Sequence, residues 1–475
     1  MFLDFSFKNF RSFRDRTVLS LEPVPKQTGH GQSIQREKGG RKTFEALSSA
    51  VILGPNGAGR SGVVNAFDTF RAIILRGHLR NPVASLVSAL PSATFDDSAQ
   101  RVANRLELAP GFWNANPAAA EPVEWAIRFI TNETLLDYRV RLDLGRFLDT
   151  HAPRKVLEEE LHVNGALVMK RVGSRGEKEL WVDMPLGTRR LMNECESDTE
   201  FQARITLAKR TLEPDELFLT GPFRVLFSSR IAALFTTWVR ERLTVVFPGD
   251  IVGKDPAFQT IPTALETLER VNRFLEDAAP RLGLSSPLIF TQPAGFAVPV
   301  LCAKLPDARV VPAELYASRG TVRLVRLLVR ILRVLEHGGL LVVDDLDAHI
   351  HSGALMHIVE LLHDASLNTH HAQLIFTAQN PVFLDSKLFR RDEIAFVDRE
   401  EDEDRDEEGS AEEALATMAS SNEMSGSFLY SLADFGTFGV NGVRKDEDYL
   451  KKFFEGKYGA FRTIDLADVM KAHLH

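Results

Sequence analysis

The chain has 475 residues, of which 26% are charged, so it is long enough for roughly two or three structural units, and its composition excludes wholesale disorder and a collagen-like fold. Its net charge is −8, and the tract Asp398–Glu408, with nine acidic residues and two arginines, carries −7 of that total. The rest of the chain is nearly neutral, which argues against a broad basic nucleic-acid surface.

Compartment and redox state are indicated by the apolar runs and the cysteines. The apolar runs end far short of the ~20 residues that span a bilayer, and the chain opens on Asp4, Lys8 and Arg11 rather than on a secretory signal. Cys195 and Cys302 lie far apart, in no spacing typical of a metal site. We expect a soluble cytoplasmic protein with no membrane association.

In the N-terminal part, the hydrophobic pattern predicts strands around one helix. Alternation over residues 2–21 predicts a strand pair, and a polar loop is expected over 26–42. An apolar run at 46–53 predicts a strand that ends at a glycine-rich turn, and 61–75 has helical spacing. Short alternating segments between about residues 94 and 180 predict antiparallel strands.

The C-terminal part predicts helices first and then alternating strands and helices. Helical periodicity dominates residues 191–282, and the last part of the chain alternates between apolar strands and helices, as in a largely parallel sheet. We therefore expect an α/β fold with a mixed sheet, an antiparallel β segment and a helical insertion. The predicted units are residues 1–190, a helical insertion at 191–285 that is a candidate for oligomerisation, and 286–475 with an acidic loop at 398–413.

The segment Gly54–Ser61, which reads GPNGAGRS, has the spacing of a phosphate-binding loop between a strand and a helix. Its glycines allow backbone N–H groups and the helix N-terminus to point at phosphate oxygens, and the Ser61 hydroxyl is a ligand type suited to Mg²⁺. Arg60 stands where a P-loop has lysine, so a planar guanidinium replaces a compact charge. The alternative is an ordinary Gly-Pro-Asn-Gly turn.

An apolar strand at 340–343 ends on the carboxylates Asp344 and Asp345. The first is placed to hold Mg²⁺, and the second to position or deprotonate an attacking water. Alone, such a strand end is more commonly just a solvated boundary, and it gains weight from the glycine loop in the same chain.

The segment Ser318–Thr321, which reads SRGT, precedes an amphipathic helix. Ser318 or Thr321 can simply cap that helix, and its free N–H groups would also suit an anion. Four histidines between His349 and His363 lie near the carboxylates, and we interpret them as part of a solvated helix end rather than as a metal site.

These motifs, in this order, give the chain its resemblance to the ABC-type ATPase heads of the SMC, RecF and OLD group. Within that group it most resembles bacterial AAA family ATPases of anti-phage and abortive-infection systems, such as the PARIS ATPase subunit and the RloA and AbiL types. The residues that carry the resemblance are KNFRSF at 8–13, GPNGAGRS at 54–61, SRGT at 318–321, VVDDLDAHIH at 342–351, QLIFTAQNPVFLD at 373–385 and YLKKFFEGKYGAF at 449–461.

The resemblance implies a role for each matching position. It implies a Walker A loop that binds ATP, Mg²⁺ at Ser61 and Asp344, a signature motif that meets the nucleotide of a second subunit, and a dimer contact near Asp347. The residues it implies at the nucleotide are Asn9, Arg11, Ser12, Asn56, Gly57, Ala58, Gly59, Arg60, Ser61, Ser318 and Gly320.

Three departures from the family pattern imply slow hydrolysis. Arg60 replaces the P-loop lysine, Asp345 replaces the catalytic glutamate, and Gln379 replaces the switch histidine. Asp is one methylene shorter than Glu, and Gln cannot carry a proton as His can. We expect a slowly hydrolysing switch ATPase that forms a homo-oligomer through a nucleotide sandwich and the helical insertion, and that controls a separate nuclease or toxin. A non-hydrolysing scaffold and a RecF-like DNA-repair ATPase remain alternatives.

Overall fold

In the computed structural model, the part of the chain that the structure describes contains nine α-helices and 18 strands. The strands form two large sheets, a three-stranded sheet and a two-stranded hairpin. The described residues are 1–25, 31–79, 122–144, 154–173, 178–183, 191, 193, 197–248, 265–284, 286–292, 299–307, 309–399, 426–436, 442–444, 447–461 and 470. Cys195, residues 94–121 of the predicted antiparallel segment and residues 400–413 of the predicted acidic loop lie outside them. Among the described residues, no helix is long and apolar enough to cross a membrane.

The elements are labelled in chain order. The strands are β1 Phe2–Lys8, β2 Thr17–Ser20, β3 Ile34–Gly39, β4 Lys42–Leu47, β5 Ser49–Leu53, β6 Val123–Thr131, β7 Thr134–Asp143, β8 Lys155–Val163, β9 Ala166–Gly173, β10 Lys178–Val182, β11 Leu243–Val246, β12 Leu288–Thr291, β13 Val300–Lys304, β14 Val310–Pro312, β15 Gly339–Val343, β16 Ala372–Thr377, β17 Ile394–Arg399 and β18 Ser427–Ser431. The helices are α1 Arg60–Arg76, α2 Asp198–Thr211, α3 Arg224–Leu226, α4 Ser229–Thr237, α5 Leu265–Ala278, α6 Ala313–Tyr316, α7 Arg319–His337, α8 Ser352–His363 and α9 Tyr449–Phe454.

The central sheet has the order β11-β15-β16-β5-β17-β18, and every neighbouring pair is parallel except the last. Its buried strands alternate between two cores, since Ala50 and Ile52 face α1 and the antiparallel sheet, whereas Val51 and Leu53 face α7 and α8. The carboxyl ends of the parallel strands lie at one edge, where ligands bind in open α/β sheets. The α/β class with a mixed sheet is confirmed.

The second sheet is antiparallel and has the order β10-β9-β8-β7-β6-β1-β2. Its inner face packs on α1 through aromatic rings, with Phe5 stacked on Phe67 at a centroid distance of 4.2 Å. The buried amide of Gln373 joins the two sheets: it accepts from the N–H of Phe2 at 2.6 Å and donates to the carbonyl of Leu47 at 3.0 Å. The predicted strand pair at the N-terminus and the antiparallel segment are present in the described residues.

Two sequence-based expectations are wrong in detail. The polar segment expected as a loop over 26–42 contains β3, which pairs with β4 in an exposed hairpin crossed by an Arg36–Glu45 ion pair of 2.7 Å. The segment 191–285 is not purely helical, because β11 lies within it and pairs in parallel with β15 as an edge strand of the central sheet. The strand β11 is buried by partners that are distant in sequence, and the hydrophobic periodicity of the segment itself does not reveal such partners.

Trp238, in the segment that is the candidate for oligomerisation, is a core residue. Its side chain is 2% exposed and stacks on Phe129 with the ring centroids 3.9 Å apart. A residue so enclosed cannot present apolar area to a second subunit.

The burial of Trp238 predicts a large stability cost for Trp238→Ala. Removing a stacked, enclosed indole leaves a cavity, for which we expect a loss of about 3–5 kcal/mol in chemical denaturation. Trp181, which is 43% exposed on β10, is the matched control, and Trp181→Ala should change stability by about 0.5 kcal/mol. Equal costs for the two substitutions would contradict the buried placement.

Candidate functional site

The glycine-rich segment between β5 and α1 forms a tight phosphate-type loop. Gly59 precedes α1 with a φ of +117°, and a Cβ there would lie 2.8 Å from the Ser427 hydroxyl and 2.9 Å from that of Ser12. A side chain is therefore excluded both by conformation and by space. The Ser427 hydroxyl also donates to the carbonyl of Ala58 at 2.5 Å, which fixes the loop from the opposite side.

The turn between β1 and β2 meets this loop across a cavity of about 280 Å³. Asn9 is 4% exposed and closes the turn, since its N–H bonds to the carbonyl of Arg14 at 3.1 Å. The structure thus brings most of the predicted nucleotide-binding residues together but places Asn9 behind them. The cavity is lined by Arg11, Ser12, Pro55, Gly57, Gly59, Arg60, Ser61 and Gly62.

Arg11 gives the cavity a cationic wall. Burial lowers the pKa of its guanidinium, and the charges of Asp344 and Asp68 oppose that shift. Its Nε is buried without a hydrogen-bond partner among the described residues. A buried donor without a partner is costly, and an anion in the cavity would satisfy it.

The acidic end of β15 lies beside the loop, because β16 is the single strand between β15 and β5. Asp344 is 4% exposed, and Ser61, the second residue of α1, lies close enough to affect the pKa of its carboxyl. Burial raises the pKa of its carboxyl, the charge of Asp345 adds to the shift, and the hydrogen bonds from Thr377 and Ser61 oppose it. The Ser61 hydroxyl and the Asp344 carboxyl therefore lie near each other at the edge of the sheet.

Thr377, at the end of β16, was not found from the sequence. Its hydroxyl donates to Asp344 Oδ1 at 2.7 Å and accepts from the N–H of Asp345 at 2.7 Å. Asp345 has a φ of +44°, a left-handed conformation that costs ~1 kcal/mol in an ordinary residue. One hydroxyl thus orients the first carboxylate and supports the strained backbone of the second.

Arg60 is 8% exposed and makes its contacts within the chain. Its guanidinium donates to the carbonyl of Ala378 at 2.6 Å and to Asn56 Oδ1 at 3.3 Å, and lies 3.9 Å from Asp345 Oδ1. Two of the three departures from the family pattern therefore lie in mutual contact at the end of β16, where Arg60 bonds to Ala378 and Asp345 bonds to Thr377.

The third departure, Gln379, has an exposed side chain. Its backbone is fixed by Asp347, whose Oδ2 accepts from the N–H groups of Gln379 at 2.9 Å and Asn380 at 2.8 Å. Asp347, expected near a dimer contact, holds this turn within its own subunit.

The SRGT segment begins α7 and is exposed at Ser318. The Ser318 hydroxyl accepts from the N–H of Thr321 at 3.2 Å, so the capping role is real. Gly320 has a packing role that the sequence did not reveal: a Cβ there would lie 2.1 Å from the carbonyl oxygen of His349.

Comparison with known proteins gives one family match, to part of the chain. Residues 299–385 match the family model described as "AAA domain, putative AbiEii toxin, Type IV TA system". The matched residues include the SRGT segment, both carboxylates and Thr377. No curated protein matches the chain. The match is confined to these residues, which form the part of the chain where the sequence predicted the SRGT segment and the carboxylates.

Solved structures of SMC heads have a distantly similar arrangement. A Smc head bound to the C-terminal winged-helix domain of ScpA has 14% identity and a TM-score of 0.37, covering 91% of this chain and 98% of that one. The SMC head domain from Thermotoga maritima has 12% identity and a TM-score of 0.34, covering 84% and 94%. A Pyrococcus furiosus Smc head with an extended coiled coil, bound to the C-terminal domain of ScpA, has 13% identity and a TM-score of 0.34, covering 89% and 99%.

Proposed function

We propose that this protein is an ATP-binding, slowly hydrolysing switch ATPase whose subunits associate through the nucleotide. The observation that carries the proposal is that Ser61, which lines the loop cavity, lies close enough to the buried Asp344 carboxyl to lower its pKa. This proximity unites a hydroxyl at a helix N-terminus, a buried carboxylate and a cationic wall, which is the combination that a nucleoside triphosphate with Mg²⁺ requires.

The residues present fit Mg²⁺ held together with a phosphate. Ser61 and Asp344 supply two oxygen ligands, and Mg²⁺ takes such hard ligands and retains water and phosphate oxygens for the rest. The described residues contain no cluster of three or more His, Cys, Asp or Glu side chains, so a protein-only metal cage is not formed by that part of the chain. When bound, the ion would neutralise negative charge on the phosphates. The loop N–H groups and Arg11 would bind and orient them.

Slow hydrolysis follows from the contacts of Arg60, Asp345 and Gln379. Arg60 can approach a phosphate only if it gives up its bond to the carbonyl of Ala378, or if its guanidinium binds that carbonyl and the phosphate together. Asp345 is drawn toward Arg60, and its shorter side chain reaches less far toward a water than Glu would. Gln379 is neutral, so it offers the transition state no charge.

Association between subunits is supported by the surface around Ser318. The cap of α7 is exposed, and the adjoining Leu315 and Tyr316 are 81% and 43% exposed. Apolar residues beside a helix N-terminus suit a second subunit that brings a phosphate to that terminus. The helical segment 191–285 remains the alternative interface, without Trp238.

A role in anti-phage defence is supported by the family match, whose description names an AbiEii toxin and a type IV toxin–antitoxin system. In this proposal the ATPase restrains or releases a separate nuclease or toxin protein. A RecF-like role in DNA repair would instead require DNA binding, with an affinity that falls steeply as salt rises.

Binding of MgATP is the direct test of the site. At a concentration about 100-fold above Kd, MgATP should stabilise the protein by about 2.7 kcal/mol, measured as a thermal shift. Ser61→Ala and Asp344→Asn should reduce the part of the shift that requires Mg²⁺, because each removes one oxygen ligand. Ser229→Ala, at the first residue of α4, is the control. The absence of any ATP-dependent shift in the unmodified protein would refute the site.

Turnover is the second test. The unmodified protein should hydrolyse ATP well below the enzyme median of about 10 s⁻¹. The triple variant Arg60→Lys, Asp345→Glu and Gln379→His should be at least about tenfold faster, since a positioned general base contributes about 10²–10⁴-fold. A phosphate-release assay measures both. Fast turnover by the unmodified protein contradicts the proposal, and no turnover by either protein favours the non-hydrolysing scaffold.

Assembly is the third test. Light scattering should show an ATP-dependent rise in mass that Ser318→Arg abolishes, because a bulky cation at the cap of α7 excludes a partner. Ser197→Arg removes the equivalent cap of α2, in the segment 191–285, and is the matched control. If Ser197→Arg blocks assembly and Ser318→Arg does not, the helical segment is the interface. A monomer under every condition would overturn the sandwich.

A further inference from the structure

A buried arginine links the helix that begins at Ser318 to the carboxylate turn. Arg323, in the second turn of α7, is 3% exposed. Its Nη2 donates to the backbone carbonyl of Asp344 at 3.3 Å and to that of Asp345 at 2.5 Å. The guanidinium therefore binds the main chain on both sides of the Asp344–Asp345 peptide, where a rigid fork of donors can serve two acceptors.

These bonds fix a residue whose backbone is strained. The N–H of Asp345 is bound by the Thr377 hydroxyl, and its carbonyl is shared by Arg323 and the N–H of Ala348 at 3.0 Å. Without Arg323, the carbonyls of Asp344 and Asp345 would each lose a charged hydrogen-bond donor. The direction of the Asp345 side chain depends on this turn.

A second contact joins the same two elements. Gly320 lies against the carbonyl of His349, close enough that a Cβ would stand 2.1 Å from that oxygen. The first turns of α7 thus meet the segment 344–349 at its beginning, through Arg323, and at its end, through Gly320. A displacement of the helix N-terminus is transmitted to the carboxylate turn because no free space separates them.

We propose that Arg323 is a positioning residue that makes the Asp344–Asp345 turn respond to what binds at Ser318. A nucleotide brought to the cap of α7 by a second subunit pulls on the helix, and Arg323 carries that movement to the carboxylates of the helix's own subunit. The two sites of an assembly would then be coupled. This inference rests on the proposed function.

The test compares Arg323→Met and Arg323→Lys with Arg326→Met. Arg326 lies on the same helix with 8% of its surface exposed, but its guanidinium pairs with Glu314 at 2.5 Å, so it controls for the loss of a buried cation. Hydrogen exchange of residues 344–349 is measured without nucleotide, and ATP affinity is measured with Mg²⁺ and with EDTA.

We expect Arg323→Met to speed exchange at the amides of Leu346 and Ala348 and to weaken Mg²⁺-dependent ATP affinity about tenfold, with the affinity in EDTA unchanged. Arg323→Lys keeps a cationic donor group but loses the planar fork, so its effects on exchange and affinity should be smaller than those of Arg323→Met. This variant preserves the test if the Met variant fails to fold. Arg326→Met should leave both measurements as in the unmodified protein. Equal effects of the Arg323 and Arg326 variants, or an equal loss of ATP affinity in Mg²⁺ and in EDTA, would overturn this inference but not the proposed function. Absence of ATP binding by the unmodified protein would overturn the proposed function as well.

Discussion

The hydroxyl of Thr377 is the contact on which the candidate site depends. Parallel pairing places the end of β16 between the end of β5, which leads to the glycine loop, and the end of β15, which leads to Asp344. A single hydroxyl there donates to the carboxylate of Asp344 and accepts from the N–H of Asp345. The sheet register thus places the ends of β5, β16 and β15 side by side. The hydroxyl of Thr377 then fixes the Asp344 carboxylate in its position near Ser61.

Charge burial explains why the site suits a ligand with both an anion and a cation. Asp344, Arg60 and Arg323 are each less than 9% exposed, and Arg11 is partly buried beside them. Every one of these groups costs free energy to desolvate, and the pairs present compensate them only in part, since the pKa of Asp344 is raised and that of Arg11 is lowered. Under the proposed function, a phosphate would satisfy the guanidinium of Arg11, and a divalent cation would satisfy the carboxylate of Asp344. The two would therefore bind better together than separately.

The sequence predicted those parts of the site that local pattern specifies. A strand, a glycine loop and a helix follow one another within 49–76, and the apolar run before Asp344 is continuous, so consecutive residues are enough to predict these elements. Thr377 and Arg323 were missed because their roles arise from pairing between distant segments, and a threonine or an arginine in an amphipathic helix has no distinctive pattern. The strand β11 was missed for the same reason: its four residues follow a helical stretch and are stabilised by β15.

Arg60 differs from the lysine of a P-loop in the contacts that its side chain can make. A lysine in this position is a compact charge that can rotate between a backbone carbonyl and a phosphate, whereas the arginine fork binds several acceptors in fixed directions. Here it already joins Ala378, Asn56 and the neighbourhood of Asp345, so it draws the carboxylate expected to position water toward itself. Under the proposed function, a phosphate at the loop would compete with the carbonyl of Ala378 for this guanidinium. Since only interactions that are stronger in the transition state accelerate chemistry, an arginine held by the protein in this way is expected to contribute little to hydrolysis.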